Sequence, residues 1–312
     1  MKYVIGIDAG GTKVAYGLFD SSGAIVDRAQ HPTDSKTDGP AFCKLVLQTI
    51  RRLLDKHNLQ ESDLLGVGFC MPSFILQESG HILMTASMPG IKDFPMLEFL
   101  KQRLKTKIVL DNDANAAALA EHRRGAGRGA RHMMYIVVGT GLGGGIIIDG
   151  KLFHGSYGWA GECGHMLATP DEGILCGCEN KGCYMSYTTG RFLSENVKNL
   201  LDKGIKSILT PETASGYTLK SAYAQGDELA IKIVEQMAFY VAVCTFNIYQ
   251  LLNINTYVFG GGLIDLGDAL MVRVRNEFDR LNKLNLQQLP IHFKTAELKH
   301  DFGIIGAYEL VV

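Results

Sequence analysis

Two stretches of this chain share one design. IGIDAGGTKVAYGLFDSSG (residues 5–23) and IVVGTGLGGGIIIDG (residues 136–150) each run apolar strand, glycine turn, apolar strand, Asp/Gly turn. A meander of that kind cannot bury its own apolar face, so a chain that carries it twice is predicted to build two duplicated α/β lobes. Length agrees, because 312 residues exceed the roughly 250–300 at which single cores usually split. Between the two stretches, apolar spacing predicts helices over Ala41–His57 and Met96–Leu104 and strands over Leu64–Phe69 and Ile108–Leu110. A further helix, Ala114–Arg124, is expected to close on Gly125 at C′. After the second stretch comes a helix-rich region from Phe192 to Leu252, a strand Thr256–Phe259, a last strand Ile291–Lys294 and a short helix near Ile304–Leu310. No Pro-rich or low-complexity linker interrupts the chain, which implies lobes joined by a close hinge.

Glycine marks where the chemistry would lie. There are 36 glycines in 312 residues, against an average of about 7%, and ten fall between Gly139 and Gly164. A glycine turn after a strand lets several backbone N–H groups face one anion with no Cβ in the way. One such turn is adequately explained as a tight hairpin. Three at strand ends, Gly10-Gly11-Thr12, Gly139-Thr140-Gly141 and Gly260-Gly261-Gly262, favour phosphate binding. The run Gly139-x-Gly141-x-x-Gly144 matches the dinucleotide fingerprint but leads into a strand where that motif must open a helix, which excludes Rossmann binding. The P-loop motif is absent as well.

Charge and cysteine usage narrow the setting. Lys+Arg total 31 and Asp+Glu 32, so no field would gather nucleic acid or hold a membrane surface. The first residues lack a signal-peptide pattern, and the longest apolar run, Met237–Phe246, is too short for a span and reads as a buried helix. Of seven cysteines, Cys163, Cys176, Cys178 and Cys183 lie within 21 residues, which suits a metal better than a disulfide framework and places the chain in a reducing cytoplasm. Cys43, Cys70 and Cys244 read as core residues.

Two constellations carry chemistry. In GECGHMLATPDEGILCGCENKGC, His165, Cys176, Cys178 and Cys183 offer a tetrahedral Cys3His set with no open position, the signature of structural Zn2+, with Cys163 as a competing ligand. Asp111-Asn112-Asp113 sits where a strand meets a helix. An N-cap would account for it alone, but beside phosphate loops a carboxylate there also suits proton acceptance in phosphoryl transfer to an alcohol.

The motifs D-x-G-G-T-K, N-D-A-N-A-A-A-L-A-E, G-T-G-L-G-G-G, G-E-C-G-H, C-x-C-x-x-x-G-C and V-F-G-G-G-L, in this order and over nearly the whole chain, resemble the ROK family of bacterial sugar kinases and repressors. The resemblance implies a two-lobed actin-like (ribonuclease H-like) α/β fold with βββαβα-type domains and a zinc-stabilised loop. The first lobe would take residues 1–112 and 301–312, the second 113–300 with the zinc loop at 161–184. The implied reaction is transfer of the γ-phosphate of Mg-ATP to the 6-hydroxyl of a hexose or N-acetylhexosamine, glucose or N-acetylglucosamine foremost. Asp113 matches the family's catalytic base and Asn112 a sugar ligand. Asp8 matches the Mg2+ position, and Gly10, Gly11, Thr12 and Lys13 the first phosphate loop. Gly139, Thr140 and Gly141 match the second, and Gly260 and Gly261 the adenosine wall. Glu162 and His165 match the sugar-binding pair, with His165 shared between zinc and sugar. A homodimer is also implied.

Four positions depart from the family pattern, all on the sugar or zinc side. Met185 stands where a sugar-binding glutamate is usual, Ser87 near the place of an asparagine, Pro72-Ser73 for Pro-Gly, and Glu179 for a glycine after C-x-C. They leave open a different hexose, such as fructose, mannose or N-acetylmannosamine, or a sugar sensor. A DNA-binding repressor is disfavoured, because the first phosphate loop begins at Asp8 and leaves no room for a helix-turn-helix before it.

Overall fold

The computed structural model describes residues 2–85, 87–298 and 301–312. The chain opens with β1 (Tyr3–Ala9), β2 (Lys13–Phe19), β3 (Ile25–Pro32), α1 (Gly39–Lys56) and β4 (Leu64–Met71). Next come β5 (Ser73–Leu76), β6 (His81–Thr85), β7 (Lys92–Phe94), α2 (Met96–Lys101), β8 (Ile108–Asn112) and α3 (Asp113–Arg124). Then follow β9 (Met133–Val138), β10 (Leu142–Ile148), β11 (Lys151–Leu152), α4 (Met185–Thr188), α5 (Leu193–Asp202) and α6 (Gly216–Ala224). The chain closes with α7 (Glu228–Leu252), β12 (Thr256–Gly260), α8 (Asp268–Leu281), β13 (His292–Thr295) and α9 (Phe302–Glu309). Contacts group these elements into two compact units, one of Met1–Arg131, Gly145–Gly161 and Glu297–Val312, the other of His132–Gly144 and Glu162–Ala296. α3 falls in the first unit, where it packs on α9.

The first unit is built on a sheet ordered β3-β2-β1-β4-β8. Its β1, β2 and β3 form an antiparallel meander, while β4 and β8 continue from β1 in parallel. One face is covered by α1, which starts where Asp38 accepts the Ala41 N–H at 2.7 Å with Pro40 in its first turn. Its stripe Phe42, Val46, Leu47, Ile50, Leu53 and Leu54 recurs every three or four residues and is buried in the main core with Ile5, Ile7 and Phe69.

On the other face lies α9, whose Ile304 and Tyr308, with Val311 just beyond its end, pack against Val4 and Phe19. This seating depends on glycine. A Cβ on Gly6 would lie 2.3 Å from the Ile304 carbonyl oxygen, one on Gly68 1.7 Å from that of Ala307, and one on Gly306 2.3 Å from that of Ala116 on α3. Part of the glycine surplus therefore serves the approach of a helix to a sheet and to a second helix, beyond the turns that the sequence singles out. Gly125 also differs from expectation. Its φ of −113° is no left-handed cap. A Cβ there would strike the carboxylate of Glu121, which accepts the Ala126 and Leu298 N–H groups, each at 2.8 Å.

In the second unit β12 pairs in parallel with both β9 and β13. The apolar run Met237–Phe246 is the middle of α7, which is capped by Asp227 and ends at Asn253 with φ of 51°. By length and composition alone α7 could cross a membrane. Its Leu229, Ile233, Val234, Met237 and Val241 are instead buried within the unit, and α8 packs along it.

Candidate functional site

In the first unit the parallel register collects chemistry at one edge of the sheet. Asp8 on β1 pairs with Cys70 on β4, Cys70 with Asp111 on β8, and Met71 with Asn112. The C-terminal ends of three adjacent strands thus carry Asp8 on β1, Cys70 on β4 and, from β8 into α3, the Asp111-Asn112-Asp113 run. Asp8 is half-buried, and burial raises its pKa to about 6, opposed by the Cys70 thiol and by the charge of Lys13. Cys70 faces Asp8 Oδ1 at 3.9 Å and the Gly303 carbonyl at 3.5 Å. A Cβ on Gly303 would overlap the Asp8 carboxyl, so α9 begins directly against it.

The turn after Asp8 is fixed by Gly10 N–H donating to the Lys13 carbonyl at 3.0 Å and by Thr33 Oγ1 donating to the Gly10 carbonyl at 2.7 Å. Gly11, Thr12 and Lys13 are exposed. Ser87 lies beside this turn: a Cβ on Gly11 would be 3.3 Å from Ser87 Cβ, and Ser87 Oγ is 3.1 Å from Thr85 Oγ1.

The acidic run divides its labour. Asn112 is the N-cap of α3, its Oδ1 accepting the Ala114 N–H at 2.7 Å while its Nδ2 donates to the Ser73 carbonyl at 3.3 Å. Asp113 is the first helical residue and half-buried, so the cap expected of the aspartate is supplied by its neighbour. Asp111 is only 2% exposed and accepts from Asn112 N at 2.7 Å, Asn115 Nδ2 at 2.8 Å and His154 Nε2 at 2.7 Å. His154 escaped the sequence reading; Cys70 is the core residue expected of it, fully buried, but its place against Asp8 was not foreseen. Each reaches its carboxylate only through strand register or a long loop, and neither carries a local signal.

In the second unit the parallel pairing of Gly260 with Val137 puts two glycine clusters at neighbouring strand ends. A Cβ on Gly139 would lie 3.5 Å from Gly262 N. Gly139 N–H donates to the Gly141 carbonyl at 2.9 Å, and the carbonyls of Gly139 and Thr140 accept from Gly190 N and Arg191 N at 2.9 and 3.3 Å. Gly261, with φ of 94°, has no room for a Cβ against Val138. Gly260 is held as tightly by the Tyr135 ring. Met185 packs with Cys176, Cys183 and Phe192, and its methyl lies 4.0 Å from where a Gly141 Cβ would stand.

The cysteine cluster forms as the spacing predicts. One ligand atom each from His165, Cys176, Cys178 and Cys183 lies within 4.8 Å of all the others. Cys176 Sγ is 3.6 Å from His165 Nδ1, and Cys178 Sγ 3.6 Å from Cys183 Sγ. Ligands about 2.0–2.3 Å from a tetrahedral Zn2+ stand roughly 3.3–3.8 Å apart, so the donors fit that ion. Cys163 takes no part, and its carbonyl faces the Cys244 thiol. Gly164 cannot carry a Cβ, because it abuts the Leu142 carbonyl, and this close approach seats Cys163–His165. Glu162, half-buried, has its pKa raised by burial, with His165 opposing.

Comparison with known proteins gives consistent matches. The ROK family model matches residues 4–312. The curated glucokinase of Halalkalibacterium halodurans is 32% identical over 320 residues, spanning 99% of this chain and 95% of the relative. The crystal structure of a ROK hexokinase from Thermus thermophilus has a TM-score of 0.84 at 28% identity, covering 99% of this chain and 97% of its own. A ROK family glucokinase from Streptomyces griseus, solved in complex with glucose and AMPPNP, has a TM-score of 0.78 at 28% identity, covering 99% and 98%. Both share this chain's fold over nearly its whole length.

Proposed function

Because the chain belongs to the ROK family and has the actin-like α/β fold of its sugar kinases, we propose that it is an ATP-dependent sugar kinase. It transfers the γ-phosphoryl group of ATP to the 6-hydroxyl of a hexose or N-acetylhexosamine, glucose or N-acetylglucosamine foremost. The observation that carries this reading is the start of α3, where Asn112 makes the helix cap and Asp113 occupies the first helical position. A carboxylate so placed is stabilised as the anion by the helix N-terminus and serves as the base that accepts the hydroxyl proton.

The remaining roles follow residue by residue. Gly10, Gly11, Thr12 and Lys13 form the first phosphate loop: Gly10, its N–H committed to the Lys13 carbonyl, shapes the turn, and the exposed Gly11, Thr12 and Lys13 face the phosphate oxygens, Lys13 with its charge. Gly139, Thr140 and Gly141 form the second phosphate loop, and Gly260 and Gly261 lie along the adenosine. Asp8 would hold Mg2+, whose chemistry when bound is to neutralise charge on the phosphates; a half-buried carboxyl offset only in part by Lys13 fits a hard cation. Asn112, Ser87, Glu162 and His165 bind sugar hydroxyls. His165, Cys176, Cys178 and Cys183 would hold Zn2+, which fixes the imidazole's aim. We further propose a reducing cytoplasmic setting, a homodimer, and a functional division of the lobes at residue 112.

Met185 favours a second reading on the sugar side. An apolar side chain where an acceptor is usual leaves a matched hydroxyl unpaired, at a cost of about 1–3 kcal/mol. That selects a hexose different there from glucose or, at the limit, a sensor that binds without turnover. An ADP-release screen over glucose, N-acetylglucosamine, N-acetylmannosamine, mannose, fructose and allose decides between them. Turnover with one sugar, abolished in Asp113→Asn with sugar affinity kept, is the expected result. No turnover with any sugar would replace the kinase reading by the sensor, and substantial residual turnover in Asp113→Asn would remove that residue from the base role.

A further inference from the structure

We propose that His154 is a positioning residue for the phosphoryl-transfer reaction, acting through the buried Asp111 carboxylate on the turn that presents Asn112 and Asp113. The inference rests on the kinase reading above. Asp111 is only 2% exposed, and a carboxylate at that depth must have its oxygens paired. Oδ1 takes two donors, the Asn112 N–H at 2.7 Å and Asn115 Nδ2 at 2.8 Å, both from the start of α3 or the residue before it. Oδ2 takes His154 Nε2 at 2.7 Å. Of these three donors, His154 alone comes from a segment remote from the turn, and it braces the carboxylate from outside.

The brace is itself anchored. Phe153 N–H donates to the Ile146 carbonyl at 2.8 Å, and the His154 carbonyl accepts from Ala160 N–H at 3.1 Å, which closes residues 154–160 into a loop. Because Asp111 is an acceptor, the proton lies on His154 Nε2. The Asp111 bond raises the His154 pKa, with partial burial opposing, as expected of a charge-assisted pair. Asn115 shows how strongly the carboxylate draws its donors. Its Nδ2 is committed to Asp111, although among the described residues its Oδ1 finds no partner.

The consequence is geometric. The Asp111 carboxylate is bonded to the backbone N–H of Asn112, the residue that caps α3 and precedes the base. Without the Nε2 donor one oxygen of a buried anion is left unpaired, the side chain rotates toward water, and the Asn112 N–H loses its acceptor. Substrate contacts made by other residues persist, but the base is displaced. A shift of that kind reduces turnover far more than binding.

The test compares wild type with His154→Ala, His154→Gln and Asp113→Asn on whichever sugar wild type turns over. For His154→Ala we expect kcat to fall about ten- to a hundredfold, with KM for sugar and for ATP changed less than about threefold. His154→Gln keeps an N–H near the Nε2 position and should recover most of the loss, and added imidazole should partly restore His154→Ala. Unchanged kcat in folded His154→Ala, or a loss that neither glutamine nor imidazole restores, overturns the positioning role. If His154→Ala melts below the assay temperature, the wild-type-like kcat expected of His154→Gln against a lowered kcat in folded His154→Asn decides the same question, and equal rates in these two overturn the proposal. An active Asp113→Asn would instead undo the base assignment on which the inference rests, a separate result.

Discussion

Gly68→Ala tests how α9 is held on the first sheet. The added Cβ would stand 1.7 Å from the Ala307 carbonyl oxygen, 2.6 Å from its carbonyl carbon and 3.1 Å from a Val311 methyl. Ordinary contact begins at 3.4 Å, so helix or strand must yield by about 1.7 Å. The two nearest obstacles are backbone, so no rotamer change relieves the clash. Neighbouring Gly6, where a Cβ would lie 2.3 Å from the Ile304 carbonyl oxygen, prevents the helix from sliding along the strand instead. Overpacking of this type typically costs 1–3 kcal/mol, and the rigid neighbours put the expected loss near the top, about 3 kcal/mol. Urea unfolding followed by circular dichroism measures it, with Gly262→Ala, where a Cβ meets nothing within 4 Å, as the stability control. A loss below about 0.5 kcal/mol in Gly68→Ala would refute the close seating of α9 and, with it, the account of why this strand carries glycine.

Other outcomes follow from the same geometry. Cys176→Ser should lose stoichiometric zinc, lower the melting temperature and raise sugar KM together; zinc analysis that finds no metal in folded, active protein would dismiss the Cys3His assignment. Glu179 holds a φ of 69° where the motif usually has glycine, so Glu179→Gly should leave stability unchanged or raise it by up to about 1 kcal/mol, whereas Glu179→Val should lower it; thermal melts that show the reverse order contradict the left-handed assignment. Asp27 is held below the usual carboxylate range by Lys56, then His57, then the Arg28 N–H. A depressed folded pKa stabilises above the unfolded value of about 3.9 and is lost as pH falls through the folded one. The stability gap between wild type and Asp27→Asn should therefore be largest near neutrality and shrink below about pH 4, with an amplitude under about 1 kcal/mol because Lys56 is exposed. A gap independent of pH would rule this out.

What the sequence disclosed was whatever its chemistry writes locally. The strand–glycine–strand units, the Asp111–Asp113 junction and the Cys3His spacing each lie within a few tens of residues and recur in the structure where the pattern puts them. Properties made by distant pairing stayed hidden. Cys70 meets Asp8 only because β1 and β4 run parallel in that register, and His154 meets Asp111 only by way of a loop 43 residues further on. The small sheet of β5, β6 and β7 gave no signal either, since β7 is the short, mostly exposed run Lys92–Phe94 with Asp93 at a φ of 48°. Glycine was the most instructive case. Its abundance pointed to turns and phosphates, yet Gly6, Gly68 and Gly306 are demanded by a helix that arrives from the far end of the chain.

That arrival orders events during synthesis. The first compact unit needs residues from 297 onward as well as the opening strands, so until they are made, the face of β1 and β4 that carries Gly6 and Gly68 has no cover. Val4 and Phe19 must wait in water for Ile304, Tyr308 and Val311. Contacts of such sequence separation slow folding and leave an apolar face open to chaperones or to wrong partners meanwhile. The half of the molecule that begins first is the half that finishes last.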